Sequence, residues 1–567
     1  MQEQELAQAS YDLPSQDQIA YGARILERLR TSLPSSASTS LLDAWTRRGN
    51  NLALIEPFSF RCYEATIVLT KQLEGYRDQT VDISKDLFRQ SCSPLQISVT
   101  TSIEAFADQI TASSLRWEAV GFYLVAITRA AGDFATIDGL YETDQQRSAF
   151  QKSIMHLSDS LLDMCLSLDC LNDLQLMLQY ENFVLHSVTD GDQSYQSWRR
   201  LGDVISSLYA LGYHRQGDVQ VNVPNFLQEL RIGAFARTYS ADKNVSIFLG
   251  RPPRLHRRYC QFRIPNSKRI MIKGSDRRPL QHPINWTDHD TFSYVTDTKW
   301  AAICAILKAD LLDILEEDDR DNRRQRTESV IDCARLQWSA LPQHLRLEQP
   351  LRYHATQPFE RDLLVGTKLN YLHTLFLAQL ALVNRVSDPS PELVTVSAEI
   401  LNLVAEATLL KGTLANSGTS LVWKVAYYGL AAAGMICLAI LNPLRHAASS
   451  LSMSRVVQDL QVIVAQVETG ALVHFQDANY ALLDAATRTI KSLIDRAITG
   501  KLPQRAEPTT DISTDDLPIE NDPFMSTWGQ HDLQDFEADF WVNLSEHPFL
   551  IDPAELQAGV GATAEES

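Results

Sequence analysis

The sequence predicts an all-α protein: a large multi-helix bundle or solenoid-like body followed by a disordered, acidic C-terminal tail. Three observations carry this expectation. Apolar residues recur at spacings of three and four along most of the chain, as in Leu115, Ala119, Phe122 and Ala126, which is the mark of one helix face. Alternating apolar–polar runs are short and scarce. The charge is also segregated: residues 506–567 hold 15 acidic residues and no Lys or Arg, and the other 505 residues hold 55 acids against 51 bases. The net charge of −19 therefore belongs mainly to the tail.

Taken in chain order, residues 1–40 are polar and end in Ser35-Ser36-Ala37-Ser38-Thr39-Ser40. They read as a weakly ordered lead-in with one helix, Gln18 to Leu33. An all-helical body is expected over 41–500. Trp198, Leu201, Ile205 and Leu208 share a face, and Gly212 follows where a helix stops. Leu369 to Val383 is apolar on nearly all sides and predicts a buried helix. Val394 to Leu410, Leu421 to Leu441, Val456 to Val467 and Ala478 to Ile498 predict further helices. Val425 to Leu441 is the longest apolar run. As a helix it spans ~25 Å, short of a ~30 Å hydrocarbon core, and its Ala and Gly content suits close packing in a protein core, so no membrane partner is expected. Residues Glu316 to Arg326 mix five acids with four arginines and read as a solvated helix end with local ion pairs.

Composition bounds the chemistry. At 45% hydrophobic and 21% charged residues, the chain fits an ordinary globular protein and excludes collagen-like and disulfide-stapled classes. Met1-Gln2-Glu3-Gln4-Glu5 is polar and acidic, unlike the start of a secretory signal. The eight cysteines (Cys62, Cys92, Cys165, Cys170, Cys260, Cys304, Cys333 and Cys437) form no C-x-x-C pair and read as small hydrophobes. No G-x-S-x-G, H-E-x-x-H, G-x-x-x-x-G-K-[ST] or strand-linked G-x-G-x-x-G motif is present. No catalytic residue, metal site or resident cofactor is expected. His289, between Asp288 and Asp290, reads as part of a surface turn lacking a second ligand set.

The most specific block lies between Trp198 and Leu255. A helix ends in Leu211-Gly212-Tyr213-His214-Arg215. A second helix carries Asp242-Lys243, and Leu249-Gly250-Arg251-Pro252-Pro253 closes it. This order of motifs resembles the middle homology region of fungal-specific transcription factors, the helical regulatory domain of zinc-cluster activators. Leu115-Arg116-Trp117-Glu118-Ala119-Val120-Gly121 resembles the family's earlier L-R-W-E-x-x-G helix, and Leu369-Asn370-Tyr371-Leu372-His373 its later Tyr-containing helix. One departure is visible: the family often has R-R-x-x-W-W where this chain has Leu230 to Phe235. Physically the block reads as structural. Gly212 and Gly250 end helices, and Pro252-Pro253 prevents continuation. Asp242 is expected to pair with Arg215 or Arg251, and Lys243 elsewhere, because sequence neighbours do not face each other on a helix. Framework pairs are the preferred reading over the lining of an effector pocket.

The resemblance implies a nuclear transcriptional regulator acting on RNA polymerase II genes, of metabolic or secondary-metabolite type, able to dimerise and to take a small-molecule effector. It also implies six clustered cysteines holding zinc on DNA. This chain has no such cluster, so zinc would enter only through sequence upstream of it, and DNA contact would come from there, from a partner, or from the basic segment Arg251–Arg278. That segment holds ten Lys or Arg against one acid. Arg257, Arg258, Lys268, Arg269, Arg277 and Arg278 are its candidate phosphate contacts or nuclear-import residues. The alternatives for it are a solvated loop or a docking surface for the chain's own tail. In residues 501–567 the acids are interleaved with bulky apolar residues, the composition of an activation segment. Leu533, Phe536, Phe540 and Leu544 fall on one helical face, with Trp541 beside them, and are the candidate coactivator contacts. The rival readings for the whole chain are an all-α sensor or enzyme with an interhelical pocket, and an interaction scaffold that does not bind DNA.

Overall fold

Ser15 opens the first helix with a reciprocal cap: its hydroxyl accepts from the Gln18 amide at 3.2 Å while Gln18 Oε1 accepts from the Ser15 amide at 2.8 Å. This helix, α1 (Gln16–Ser32), buries Ile19, Ile25, Leu26 and Leu29 against α4 (Thr80–Cys92). The approach is close: a Cβ on Gly22 would lie 2.8 Å from the Trp117 ring and 2.9 Å from that of Phe88. The serine run that follows is also helical. In α2 (Ser35–Arg47), the Glu74 carboxylate accepts from the Ser35 amide at 2.8 Å and its hydroxyl at 3.1 Å, capping the helix from another element. The helix predicted over Gln18 to Leu33 is α1, and the expectation of weak order is corrected for Ser35–Ser40, which lie in α2. Serine hydroxyls that bond back to carbonyls one turn earlier, as Ser38 does to Pro34 at 2.9 Å, are compatible with a helix once a core covers its apolar face.

The computed structural model describes residues 14–499 except 76–78, 216–222, 268–270, 274–279, 288–289, 316, 318, 355–356, 384–388, 418 and 442–451. The described residues are predominantly helical and confirm the all-α class. After α3 (Ser59–Gly75) and the short α5 (Ile103–Asp108), the N-terminal half is built around α6 (Trp117–Gly132). Fourteen of its sixteen residues are buried, since it packs on α2, α3, α7 (Asp144–Leu166) and α8 (Asp173–Thr189). Leu115 sits just ahead of that helix, outside the face predicted for it. Next, α9 (Tyr195–Ala210) and α10 (Asn225–Leu249) bridge to α11 (Tyr294–Leu315). The C-terminal half stacks α11 on α12 (Arg320–Ala340) and α13 (Pro358–Ala381), α13 on α14 (Pro391–Leu409), and α14 on α16 (Leu430–Leu441) and α17 (Met453–Glu468), which packs on α18 (Tyr480–Thr499). One contiguous hydrophobic core runs from Ile19 to Ile494.

The longest apolar run begins as α15 (Leu421–Lys424), widens into a π-turn at Val425–Gly429 and continues as α16. Leu421–Ile440 is the one described helix long and apolar enough to cross a membrane, and 83% of its most apolar 18 residues are buried inside the protein. The acid–arginine stretch is the predicted helix end, where Asp319 caps α12 and Arg324 pairs with Glu328 at 3.0 Å. The described part of the basic segment has one 3-10 turn, Arg257–Tyr259. Its strands β1 (Gln261–Arg263) and β2 (Met271–Lys273) form an antiparallel ribbon between α10 and α11.

Candidate functional site

The motif residues between Trp198 and Leu255 assemble into one unit. Gly212 (φ +75°) and Gly250 (φ +61°) each end a helix in the left-handed conformation. After Gly212, the Tyr213 amide reaches Leu208 O at 3.1 Å; after Gly250, the Arg251 amide reaches Ser246 O at 3.0 Å. Both satisfy carbonyls that the last helical turn leaves open. The chain leaving α10 then folds back onto α9. Arg251 and Arg254 stack on the Trp198 ring at 4.6 and 3.7 Å, and Arg254 Nη1 donates to Trp198 O at 2.7 Å.

Asp242 and Lys243 hold that return in place, and the structure corrects the expected partners. Asp242 pairs with Lys243 itself, Nζ to Oδ2 at 2.7 Å, both side chains buried. Oδ1 accepts from the Arg254 amide at 2.9 Å and Oδ2 from the Leu255 amide at 3.0 Å, while Lys243 Nζ also donates to Leu255 O. Arg215 points to solvent, and Arg251 is on Trp198. The neighbour rule fails here because both side chains reach past their own helix to one loop backbone. Leu249 and Pro253 are half-buried and Pro252 is exposed beside it. His214 stacks edge-on against Tyr209 at 4.8 Å, and its carbonyl accepts from the Gln261 amide at 2.7 Å, tying the end of α9 to β1. Burial, then the Arg215 charge, lowers the His214 pKa.

A half-open cavity of about 310 Å³ lies where two motif blocks meet. One wall is Cys92, Pro94, Leu95, Ile97 and Arg116; the other is Cys170 to Asp173 with Leu211, Tyr213 and Arg231. Its arginines are committed to the framework. Arg116 donates to Gln90 O, Ser91 O and Ser93 O at 2.6–2.7 Å, closing the C-terminus of α4, and pairs with buried Glu118 at 3.3 Å. Asn172, the N-cap of α8, donates to Glu118 Oε1 at 3.2 Å. Arg231 grips Asp173 with two nitrogens at 2.7 and 2.8 Å, and Tyr213 Oη donates to the same carboxylate. Cys92 and Cys170 both face this cavity; the neighbouring Cys170 side chain and then the Arg116 charge draw the Cys92 pKa down to about 7 against burial.

A second polar cluster lies deeper. Lys308 is fully buried, and its Nζ donates to Asn370 Oδ1 at 2.7 Å and Asn244 Oδ1 at 2.9 Å, with the Tyr427 and Tyr428 rings at 5.5 and 5.8 Å. Burial lowers its pKa to about 7. Tyr427 and Tyr428 come from the π-turn, whose extra residue per turn places both rings around the lysine. Sequence pattern offered no signal for this cluster, because a lysine on an otherwise apolar helix is indistinguishable from a solvated one until its neighbours are known.

The basic segment is less available than its sequence suggests. Arg257 is buried in an ion pair with Asp310, whose pKa burial pushes up to about 6 despite the guanidinium. Arg257 is therefore corrected from phosphate contact to core framework. Arg258 is exposed. Lys268, Arg269, Arg277 and Arg278 lie outside the described residues, as do His289 and the tail residues Leu533, Phe536, Phe540, Trp541 and Leu544. Asp290, beside His289, is taken up by the Thr287 amide at 2.7 Å, Asn266 at 3.1 Å and Lys299 at 3.4 Å. Among the described residues no group of three His, Cys, Asp or Glu side chains is placed to hold a metal. Five of the eight cysteines are buried in the hydrophobic core, so these residues do not fit a six-thiolate zinc cluster. Family models, curated proteins and solved structures offer no match to this chain.

Proposed function

We propose that this protein is a transcriptional regulator of the fungal-specific type, working in the nucleus. Its helical body is the regulatory domain and its acidic, aromatic C-terminal segment the part that recruits the transcription machinery. One observation carries the reading. Most of the residues on which the resemblance rests, those between Leu115 and Leu255, lie close together: the L-R-W-E and L-G-Y-H-R blocks share one cavity, and the D-K and L-G-R-P-P blocks close on each other through Asp242 and Lys243. Sequence-specific DNA contact, and any zinc, would come from outside this chain's own cysteines. Fusing residues 501–567 to a neutral DNA-binding module upstream of a reporter tests the reading; activation is expected, and a silent but expressed fusion overturns it.

The cavity favours a second reading, in which the body senses a small molecule. Its volume of about 310 Å³ is at the small end of ligand sites. Its mixed lining, with Pro94, Leu95, Ile97 and Leu211 beside Arg116, Asp173 and Tyr213, suits a compact effector with both apolar and polar groups. A thermal-shift screen of such compounds, repeated on Leu95→Trp to fill the space, separates this reading from a purely structural cavity.

A further inference from the structure

The two thiols in the cavity wall are not explained by packing alone. Of the eight cysteines, Cys62, Cys165, Cys260, Cys304 and Cys437 are buried, and burial raises the pKa of each. Such thiols are inert. Cys92, Cys170 and Cys333 are partly exposed, and of these Cys92 and Cys170 line one cavity, with Cys170 Sγ 3.7 Å from the carbonyl oxygen of Ser91, the residue before Cys92. They are brought together from distant parts of the chain. Cys92 is the last residue of α4, where the helix dipole alone would disfavour a thiolate. Arg116 reverses that field by closing the same helix end with its guanidinium. Cys170 lies on the α7–α8 connection directly after Asp169, a non-glycine residue at φ +50°. Its Sγ is 3.7 Å from Ser91 O and 3.6 Å from Gln175 Nε2. A strained turn thus holds the second thiol over the end of α4.

We propose that Cys92 and Cys170 form a reversible dithiol–disulfide site, oxidised by a hydroperoxide that enters through the cavity. The Cys92 thiolate attacks the terminal peroxide oxygen; the O–O bond breaks and the leaving oxygen departs, with a proton, as water or an alcohol. Cys92 is left as a sulfenic acid. Cys170 then gives up its proton and attacks that sulfur; the S–O bond breaks, and the hydroxide leaves as water with the Cys170 proton. Two thiols lose two electrons to the peroxide, and a disulfide joins the end of α4 to the start of α8. A thiol reductant reverses the step. The carbonyls capped by Arg116 and the Asn172 cap of α8 flank the new bond, so oxidation draws the two cavity walls together. The inference stands apart from the transcriptional reading, since it rests only on the pair and the cavity around it.

Peroxide titration of the reduced full-length chain, with peptide mass mapping, tests it. Expected is the loss of two thiols, a Cys92–Cys170 cross-linked peptide, and recovery of both thiols with dithiothreitol. Cys92 should be consumed at least about tenfold faster than Cys333, the third partly exposed cysteine. In Cys170→Ser, the oxidation should stop at a Cys92 sulfenic acid that dimedone captures; in Cys92→Ser, Cys170 should react no faster than Cys333. Equal rates at Cys92 and Cys333 in the wild-type chain, oxidation of Cys92 to the sulfinic acid without a cross-link, or a cross-link to another cysteine would each overturn the proposal.

Discussion

Lys243 Nζ stands 2.7 Å from Oδ2 of Asp242, its immediate neighbour on α10, and the two side chains together hold the backbone of Arg254 and Leu255. Consecutive helical residues diverge by about 100°. This pair meets because the loop after Gly250 returns across the helix and supplies a common target. Asp242 is therefore a charge partner and a loop anchor at once.

Replacing Asp242 with Ala strands the buried Lys243 charge and leaves two amides open. We expect a loss of about 3–5 kcal/mol in urea unfolding. Asp242→Ala with Lys243→Met removes both charges and should recover part of that loss. An unchanged unfolding midpoint in Asp242→Ala would refute the anchoring role.

Gly22→Ala sets two effects against each other. Alanine gains about 1 kcal/mol of helix propensity, but its Cβ would fall 2.3 Å from Ser84 Oγ and under 3 Å from two aromatic rings. Those rings are locked in the core, so overpacking of about 1–3 kcal/mol should win. Net destabilisation, and faster proteolysis ahead of α2, are the expected readouts.

His186 gives a pH signature. Burial opposes its charge, yet hydrogen bonds to Asp159 at 2.9 Å and Asp190 at 2.6 Å prevail and raise its pKa to about 9. A raised folded value stabilises fully below the unfolded value of 6.5 and loses that contribution as pH rises through about 9. The stability difference between wild type and His186→Gln should thus be largest below pH 6.5, at most about 3 kcal/mol, and shrink toward alkaline pH.

Lys308 has the opposite sign. Its folded pKa falls from 10.5 to about 7, so as pH drops between those values the unfolded chain takes up a proton that the folded chain refuses. Lys308→Met should gain on wild type by about 1.4 kcal/mol per pH unit over that window and level off below it. Denaturant midpoints measured across pH would read the slope directly; a flat difference would show that the lysine stays charged in the fold.

Much of the fold is legible locally. The faces of α9, α13, α14 and α17 follow from apolar spacing, and Gly212 and Gly250 mark their helix ends as glycines in that position do. The misread lead-in shows the limit: Ser35 to Ser40 has turn-forming composition, and only Glu74 and a core cover make it helical. The candidate site was half legible. The motif residues were found from their order in the chain, but their partners were not: Arg257 looked like a phosphate contact and is bound to Asp310.

The sequence by itself determined most of the helical segments, where charge collects and how many thiols exist, because periodicity, caps and composition act over a turn or two of chain. Only the tertiary structure decided that Asp242 pairs with Lys243, that Lys308 is buried among tyrosines, and that Cys92 and Cys170 face one cavity beside Arg116. The first depends on a loop that returns to α10 at Arg254 and Leu255, the others on residues far apart in the chain, and burial, not residue type, sets what such groups can do.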